Sequence, residues 1–392
     1  MEILVIGCGL TGSVIARFLA ENLNKKVIIW DRRNHIGGNM YDYYDEHGIL
    51  VHKYGPHTFH TKKKELYDYM CKFVEWEDYK LICMAQIDGK FTPTPFNFQT
   101  IDDFYSEEEA NDLKNRIKKV FGDRKTATVV EVLNCDDEKI RKYGEFLFEK
   151  DYSLYTAKQW GISAKEVDPS ILKRVPLRFS YDIGYFDDEY QVMPKTTYVD
   201  FFKNLLNHKN IEVRLGIEAL DYLKIDKVKR KILVNNKEVD FPVIYTGALD
   251  ELFNTCYGKL PYRSLHFEWK YENIESKQEA PVVAYPQEEK FTRITEYKKL
   301  PKQEVKGTSY AVEYSLFYDE QGNMEPYYPV LTKESMKKYN KYLDIANTID
   351  NLYLAGRLAD FKYYNMDQAL ERALSLCRRL KDEICYMKGS NN

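Results

Sequence analysis

The sequence predicts an α/β protein whose nucleotide-binding core is assembled from separate parts of the chain. Three observations carry this. The first 31 residues read as strand, glycine turn, helix, strand. The last 42 residues repeat a strand-and-helix pattern around "AG". Between them lie a charged, helix-patterned stretch and then a stretch alternating aromatic and polar residues. In "MEILVIGCGLTGSVIARFLAENLNKKVIIWD", Ile3 to Ile6 form a short apolar strand, and Gly7, Gly9 and Gly12 give G-x-G-x-x-G at the turn. Val14, Ile15, Phe18, Leu19 and Leu23 recur at helical spacing. Val27 to Trp30 form the second strand, which Asp31 closes nineteen positions after Gly12. Gly7 permits the tight turn, Gly9 lets a pyrophosphate approach the backbone, and Gly12 lets helix and strand pack closely. The helix start offers unpaired N–H groups to phosphate, with Leu10 and Thr11 in its first turn, and Asp31 can accept from ribose hydroxyls. Strand, glycines, helix and acid together define a Rossmann-like dinucleotide site.

The rest of the chain follows in order. "SEEEANDLKNRIKKVF" starts a helix at a Ser106 cap with Glu109 three residues on, within a charged, helix-patterned stretch over 101–150. "IEVRLGIEAL" and "FPVIYTGAL" read as strands returning to the first sheet. Residues 260–330 alternate as half-buried strands do. "NLYLAGRLADFKYYNMDQALERALSLCRRL" gives a strand over Leu352 to Ala355, then Gly356 and Arg357, then a helix from near Asn365 to Asp367.

Composition narrows the function. A chain of 392 residues, 44% hydrophobic and 30% charged, is ordinary for a globular protein of two or three domains. A net charge of −3 gives no global signal for nucleic acid or membrane surfaces. Seven cysteines, an odd number with no CxxC pair, argue for reduced thiols in a cytoplasm. No segment sustains the roughly 18 apolar residues of a membrane helix. The 33 tyrosines offer flat apolar faces with hydroxyls, suited to sugars and phosphates, although most serve as core filling. "GPHTFHT" puts His57 and His60 three apart, which raises zinc ligation, acid–base work or a place in a site wall. Nearby His, Cys and acidic residues form no ligand cluster, so no metal is expected.

"RRNHIGGN" directly after Asp31 adds a second glycine pair, Gly37 and Gly38, with Asn39. That pair, and the strand ending in "AG" at the far end, favour FAD over NAD. No second G-x-G-x-x-G is present for a nicotinamide domain.

Over nearly its whole length the chain resembles the bacterial UDP-galactopyranose mutase family. The likeness is carried in order by "RNHIGGN", "GPHTFHT", "IDGKFTPTPFN", "YTAKQWG", "SILKRVPLRFSYDIGYF", "MPK", "VIYTGALDELF", "FTRITEYK", "EYSLFY", "YYPV" and "AGRLADFKYYNMD". The resemblance implies a discontinuous FAD-binding domain (1–75, 195–250 and 340–392), a helical insertion (98–165) and an antiparallel sheet domain for substrate (76–97, 166–194 and 251–339). It implies interconversion of UDP-galactopyranose and UDP-galactofuranose by attack of reduced flavin N5 on the sugar C1, feeding cell-surface polysaccharide, in a cytoplasmic homodimer.

By the same resemblance His57 and Thr58 border the flavin, and His60 tunes N5 or shuttles a proton. Arg32, Gly38, Asn39, Ile217, Arg357, Tyr364, Asn365 and Met366 complete the cofactor set. Tyr155, Thr156 and Trp160 hold the uracil end and border the sugar. Arg174 and Arg293 clamp the diphosphate, and Tyr185, Tyr314, Tyr328 and Tyr363 donate hydroxyls to it. Two departures are visible. Asn365 stands where many members carry aspartate. "EKDYSL" replaces a more apolar aromatic stretch at the uracil, leaving Tyr152 as its substitute. The rival readings are a flavin oxidase or dehydrogenase of the amine-oxidase kind, and a non-enzymatic binding protein on the same fold, as in Rab GDP-dissociation inhibitors.

Overall fold

The computed structural model describes residues 2–161, 175–288, 290–318 and 324–389, with the side chains of Trp160 and of residues 384–389 outside that description. Its first layer is a five-stranded parallel sheet in the order Ile211–Leu215, Lys26–Asp31, Glu2–Ile6, Val243–Tyr245, Leu352–Leu354. The two parts of the chain foreseen as partners therefore meet in one sheet. Side chains alternate across a strand, so Ile3 and Val5 join the core under the helices Leu10–Leu23, Tyr198–Leu206 and Met366–Gly389. Leu4 and Ile6 join the opposite core, with Tyr245, Phe361 and the helix Lys333–Ala346. Burial on both faces explains why this strand is a continuous apolar run. The strand order reverses beside Glu2–Ile6, and a crevice opens there at the carboxyl ends of the strands.

The middle of the chain is helical, from Phe98–Phe104 through Glu107–Phe121 and Glu138–Leu147 to Ser153–Trp160. The Ser106 cap forms as a capping box with Glu109. Leu113, Ile117, Ile140, Tyr143 and Leu147 fill a separate core. A seven-stranded sheet follows, in the order Tyr328–Pro329, Tyr262–Glu272, Thr308–Phe317, Arg293–Glu296, Val282–Ala284, Cys83–Ile87, Lys90–Thr94. It is antiparallel except where Val282–Ala284 runs parallel to Cys83–Ile87, because the latter is supplied from far earlier in the chain. On these layers we propose the three-part division given above. The strand Tyr190–Pro194 pairs with Phe59–Thr61 and Trp76–Asp78, and its Val192 and Met193 pack into the core of the parallel sheet. Among the described residues no helix is long and apolar enough to cross a membrane.

Candidate active site

The glycine turn is built as the sequence required. Gly7 sits at φ +105, where a side chain would come within 2.0 Å of Thr246 Oγ1. A Cβ on Gly12 would lie 2.0 Å from the Gly7 carbonyl oxygen, so helix and strand meet there backbone to backbone. Gly9 differs. A Cβ there would meet only the Gly38 Cα, at 3.8 Å, and would otherwise stand in the open pocket. Gly9 also caps the helix Leu10–Leu23 without a side-chain hydrogen bond, so the first N–H groups face outward for an anion.

Every residue expected at the cofactor lines this pocket except Thr58, which is buried outside the lining. Thr58 lies just before the strand Phe59–Thr61, next to His57, which lines the pocket. Asp31 closes the second strand, as predicted, but its carboxylate already accepts N–H groups from Cys8 at 2.6 Å and Arg33 at 2.8 Å. Its remaining lone pairs are what it has for a ribose. Arg32 is held by Glu325 at 2.8 Å and by Glu251 at 3.8 Å.

On the facing wall Arg357 donates to the carbonyls of Tyr327 and Tyr364. Its guanidinium lies 5.3 and 5.4 Å from the rings of Tyr328 and Tyr363, which stack on one another at 5.2 Å. Among the described residues it has no carboxylate partner, so its charge is left to the pocket.

His57 joins this pocket to the next layer. Burial, with Arg357 and Arg293 nearby, drives its pKa down to about 4, against the opposing pull of its Gly55 bond. The ring is therefore neutral at pH 7. Its Nδ1 lies 2.7 Å from the Gly55 carbonyl oxygen, which can only accept, so Nδ1 carries the proton and Nε2 is an acceptor. The His57 backbone N–H donates in turn to His52 Nδ1 at 3.0 Å.

His60 takes another place. It is not in the pocket lining; Nδ1 bonds to Asp188 at 2.5 Å, and the ring stacks on Phe186 at 3.5 Å. The catalytic role expected of it is kept as a proposal, and it stands behind the wall. Strand pairing explains this, since His60 lies in Phe59–Thr61 against Gln191, which turns its ring toward the segment around Asp188.

Arg293 and Glu313 are register partners on adjacent strands, which makes them an ion pair. Arg293 Nε and Nη2 both reach Glu313 Oε2 at 2.8 Å, leaving Nη1. Burial is the largest single influence and opposes the arginine charge, but Glu313, Tyr155 and Tyr328 together hold the pKa well above the usual value. Tyr155 and Tyr328 lie near enough to act on this charge, and Tyr185 is near Tyr155. Thr156 is buried on the same helix. Tyr314, next to Glu313 on its strand, projects from the opposite face, beside Phe291 and His266. Tyr152 is buried in the insertion core, its hydroxyl donates to the Val175 carbonyl at 2.7 Å, and its ring meets Phe96; its expected place at the uracil is kept as a proposal. Arg174 and the Trp160 side chain lie outside the described residues.

Sequence reasoning missed Arg33, Thr246 and the run Glu325–Tyr327, all in the lining. Arg33 pairs with Glu325 at 3.1 Å and bonds Asn39. Thr246 had a readable signal, standing before a glycine at the end of a predicted strand; Glu325 had none. Among the described residues no group of three His, Cys, Asp or Glu is placed to hold a metal.

A parallel sheet with its crevice at the strand ends, and a glycine turn at the helix start, define a Rossmann-like dinucleotide-binding protein. The comparisons sharpen this. The NAD(P)-binding Rossmann-like domain matches residues 5–73, and UDP-galactopyranose mutase matches residues 150–363. A UDP-galactopyranose mutase of Mycoplasma pneumoniae is 33% identical over 97% of this chain and 96% of its own. A dTDP-fucopyranose mutase of Escherichia coli is 35% identical over 97% and 98%. The crystal structure of a reduced UDP-galactopyranose mutase superposes with a TM-score of 0.75 at 16% identity, covering 97% of this chain and 94% of the other. The chain belongs to the UDP-galactopyranose mutase family, a family of isomerases.

Proposed function

We propose that this protein is an FAD-dependent mutase that interconverts UDP-galactopyranose and UDP-galactofuranose, active with the flavin reduced. The observation that supports it most is the open space over Gly9 at an uncapped helix start, facing Arg357 across one pocket that His57 joins to Arg293. The residues fit FAD: the Leu10 and Thr11 turn would hold its pyrophosphate, and Arg357 would favour negative charge on the ring. When bound and reduced, the flavin supplies an electron-rich centre for covalent catalysis at the sugar C1.

The chain's own residues bind and orient. Arg293 Nη1 takes the diphosphate, whose charge grows as the bond to the sugar breaks, while Glu313 fixes the guanidinium plane. His57 offers Nε2 as a neutral acceptor at the pocket wall. Tyr155, Tyr185, Tyr328 and Tyr363 complete the aromatic surround, with Arg174 and Trp160 proposed from sequence alone. A cytoplasmic location and a homodimer are proposed on the same footing.

A second reading has its own support in the dTDP-fucopyranose mutase relative: a dTDP-linked 6-deoxyhexose as substrate. Purified protein is expected to be yellow and, once reduced, to convert UDP-galactofuranose at least tenfold faster than the dTDP-fucose pair, followed by chromatography of the products. The reverse preference would move the substrate to the second reading, and colourless protein would remove both.

A further inference from the structure

Lys158 stands one turn beyond Tyr155 on the helix Ser153–Trp160. Its ammonium donates to three backbone carbonyls of one loop: Tyr285, Glu288 at 2.7 Å and Phe291 at 2.9 Å. An ammonium has three donors and all three are used, while a planar guanidinium could not meet three converging oxygens in this way. The loop runs straight into the Arg293 strand. Tyr285 donates its N–H to the Thr292 carbonyl at 2.9 Å, and Thr292 donates to the Glu313 carbonyl at 2.8 Å.

A second tie secures the same helix. Its last carbonyls are ones that no helical N–H reaches. Arg263 donates to those of Lys158 and Gln159, each at 3.0 Å, and Ser315 Oγ donates to Gln159 at 2.8 Å. The Arg263 guanidinium covers the Phe317 ring at 4.3 Å.

We propose that Lys158 is a positioning residue: its carbonyl cage sets the spacing between the helix bearing Tyr155 and Thr156 and the strand that begins at Arg293. The two ends of a nucleotide diphosphate are thereby held in one register. This rests on the mutase reading for what the helix and Arg293 bind. The groups facing the ammonium are Asp151, in the segment just before this helix, and Glu288 on the loop, with Arg263 at the helix end. Burial brings the Lys158 pKa down to about 8, against the pull of Glu288 and Asp151, and burial raises Asp151 to about 7. The cage is therefore charged at neutral pH and loses a donor as pH rises through about 8. Because the folded pKa lies below the unfolded one, stability gained from deprotonation grows between about 8 and 10.5, so this group does not lower Tm there. Loosening of the site and loss of the fold thus go in different directions.

The experiment compares wild-type holoenzyme with Lys158→Met and Lys158→Arg, measuring UDP affinity, KM and kcat for UDP-galactofuranose, flavin content and Tm. Lys158→Met is expected to weaken UDP binding and raise KM about tenfold, with flavin content unchanged and kcat within about threefold, since three charge-assisted bonds are removed. Lys158→Arg is expected to recover only part of this. In wild type, KM is expected to climb above about pH 8 while Tm holds, and Lys158→Met is expected to lack that limb. If Lys158→Met does not fold, the wild-type profile decides: a KM flat from pH 7 to 10 overturns the proposal. Unchanged UDP affinity in a folded Lys158→Met also overturns it, as does a joint loss of flavin, kcat and Tm. Wild-type protein whose UDP affinity falls in Lys158→Met, yet which converts no UDP-sugar, would refute the mutase reading and leave the positioning role standing.

Discussion

Gly9→Val is expected to give a folded, colourless protein. The expectation comes from the contrast between two glycines in one turn. At Gly9 the nearest atom a Cβ would meet is 3.8 Å away, so the chain itself does not oppose a side chain. What fills that space is the pyrophosphate of the proposed FAD. Each charge-assisted bond to it is worth about 1.5–3 kcal/mol, so displacing two of them costs a factor of about 10² to 10⁴ in affinity. At Gly12 a Cβ would lie 2.0 Å from a backbone oxygen, and the strand or helix must move. Gly12→Val is therefore expected to lose about 1–3 kcal/mol or more in stability as well as the cofactor. Flavin per chain and thermal unfolding of both variants check the pair. Stoichiometric flavin in Gly9→Val would refute the site.

Arg293→Ala is expected to reduce turnover by one to two powers of ten, with flavin retained. A charge-assisted bond to phosphate is worth about 1.5–3 kcal/mol, and a diphosphate leaving group needs it most when its charge is greatest. The same change strands Glu313, which is 1% exposed and has Oε1 already without a partner among the described residues. Breaking a buried pair from one side costs about 3–5 kcal/mol of stability. Arg293→Ala with Glu313→Gln is therefore expected to restore Tm without restoring turnover. Wild-type kinetics in that double variant would show that the arginine serves only the sheet.

The parallel sheet was legible because its inner strands are short and apolar, with glycine or an acid at or just past their ends, and because burial on both faces leaves a near-continuous apolar run there. The cofactor pocket was legible for the same reason: backbone geometry there demands glycine, and glycine is visible in a sequence. The Glu325 contact with Arg32 and Arg33 was not legible, because 292 positions separate Glu325 from Arg33 and surface-rim charges carry no periodic signal. The different neighbours of His57 and His60 were not legible, because "GPHTFHT" shows two histidines alike. The burial of Tyr152 was not legible, because a tyrosine that fills a core and one that faces a base look the same until the surrounding packing is known. Lys158 and Arg263 were passed over among 58 basic residues, and only the carbonyls around them distinguish them from surface charge.

The most direct measurement is anaerobic turnover of UDP-galactofuranose by one preparation of holoenzyme, assayed oxidised and after reduction. Net redox change is zero in this conversion, so reduction alters only the electron density of the flavin and not the balance of the reaction. With a reduced ring favoured by Arg357 and the diphosphate held by Arg293, conversion is expected in the reduced sample and nearly none in the oxidised one. Equal rates in both samples, or none in the reduced sample, would contradict the flavin-dependent mutase.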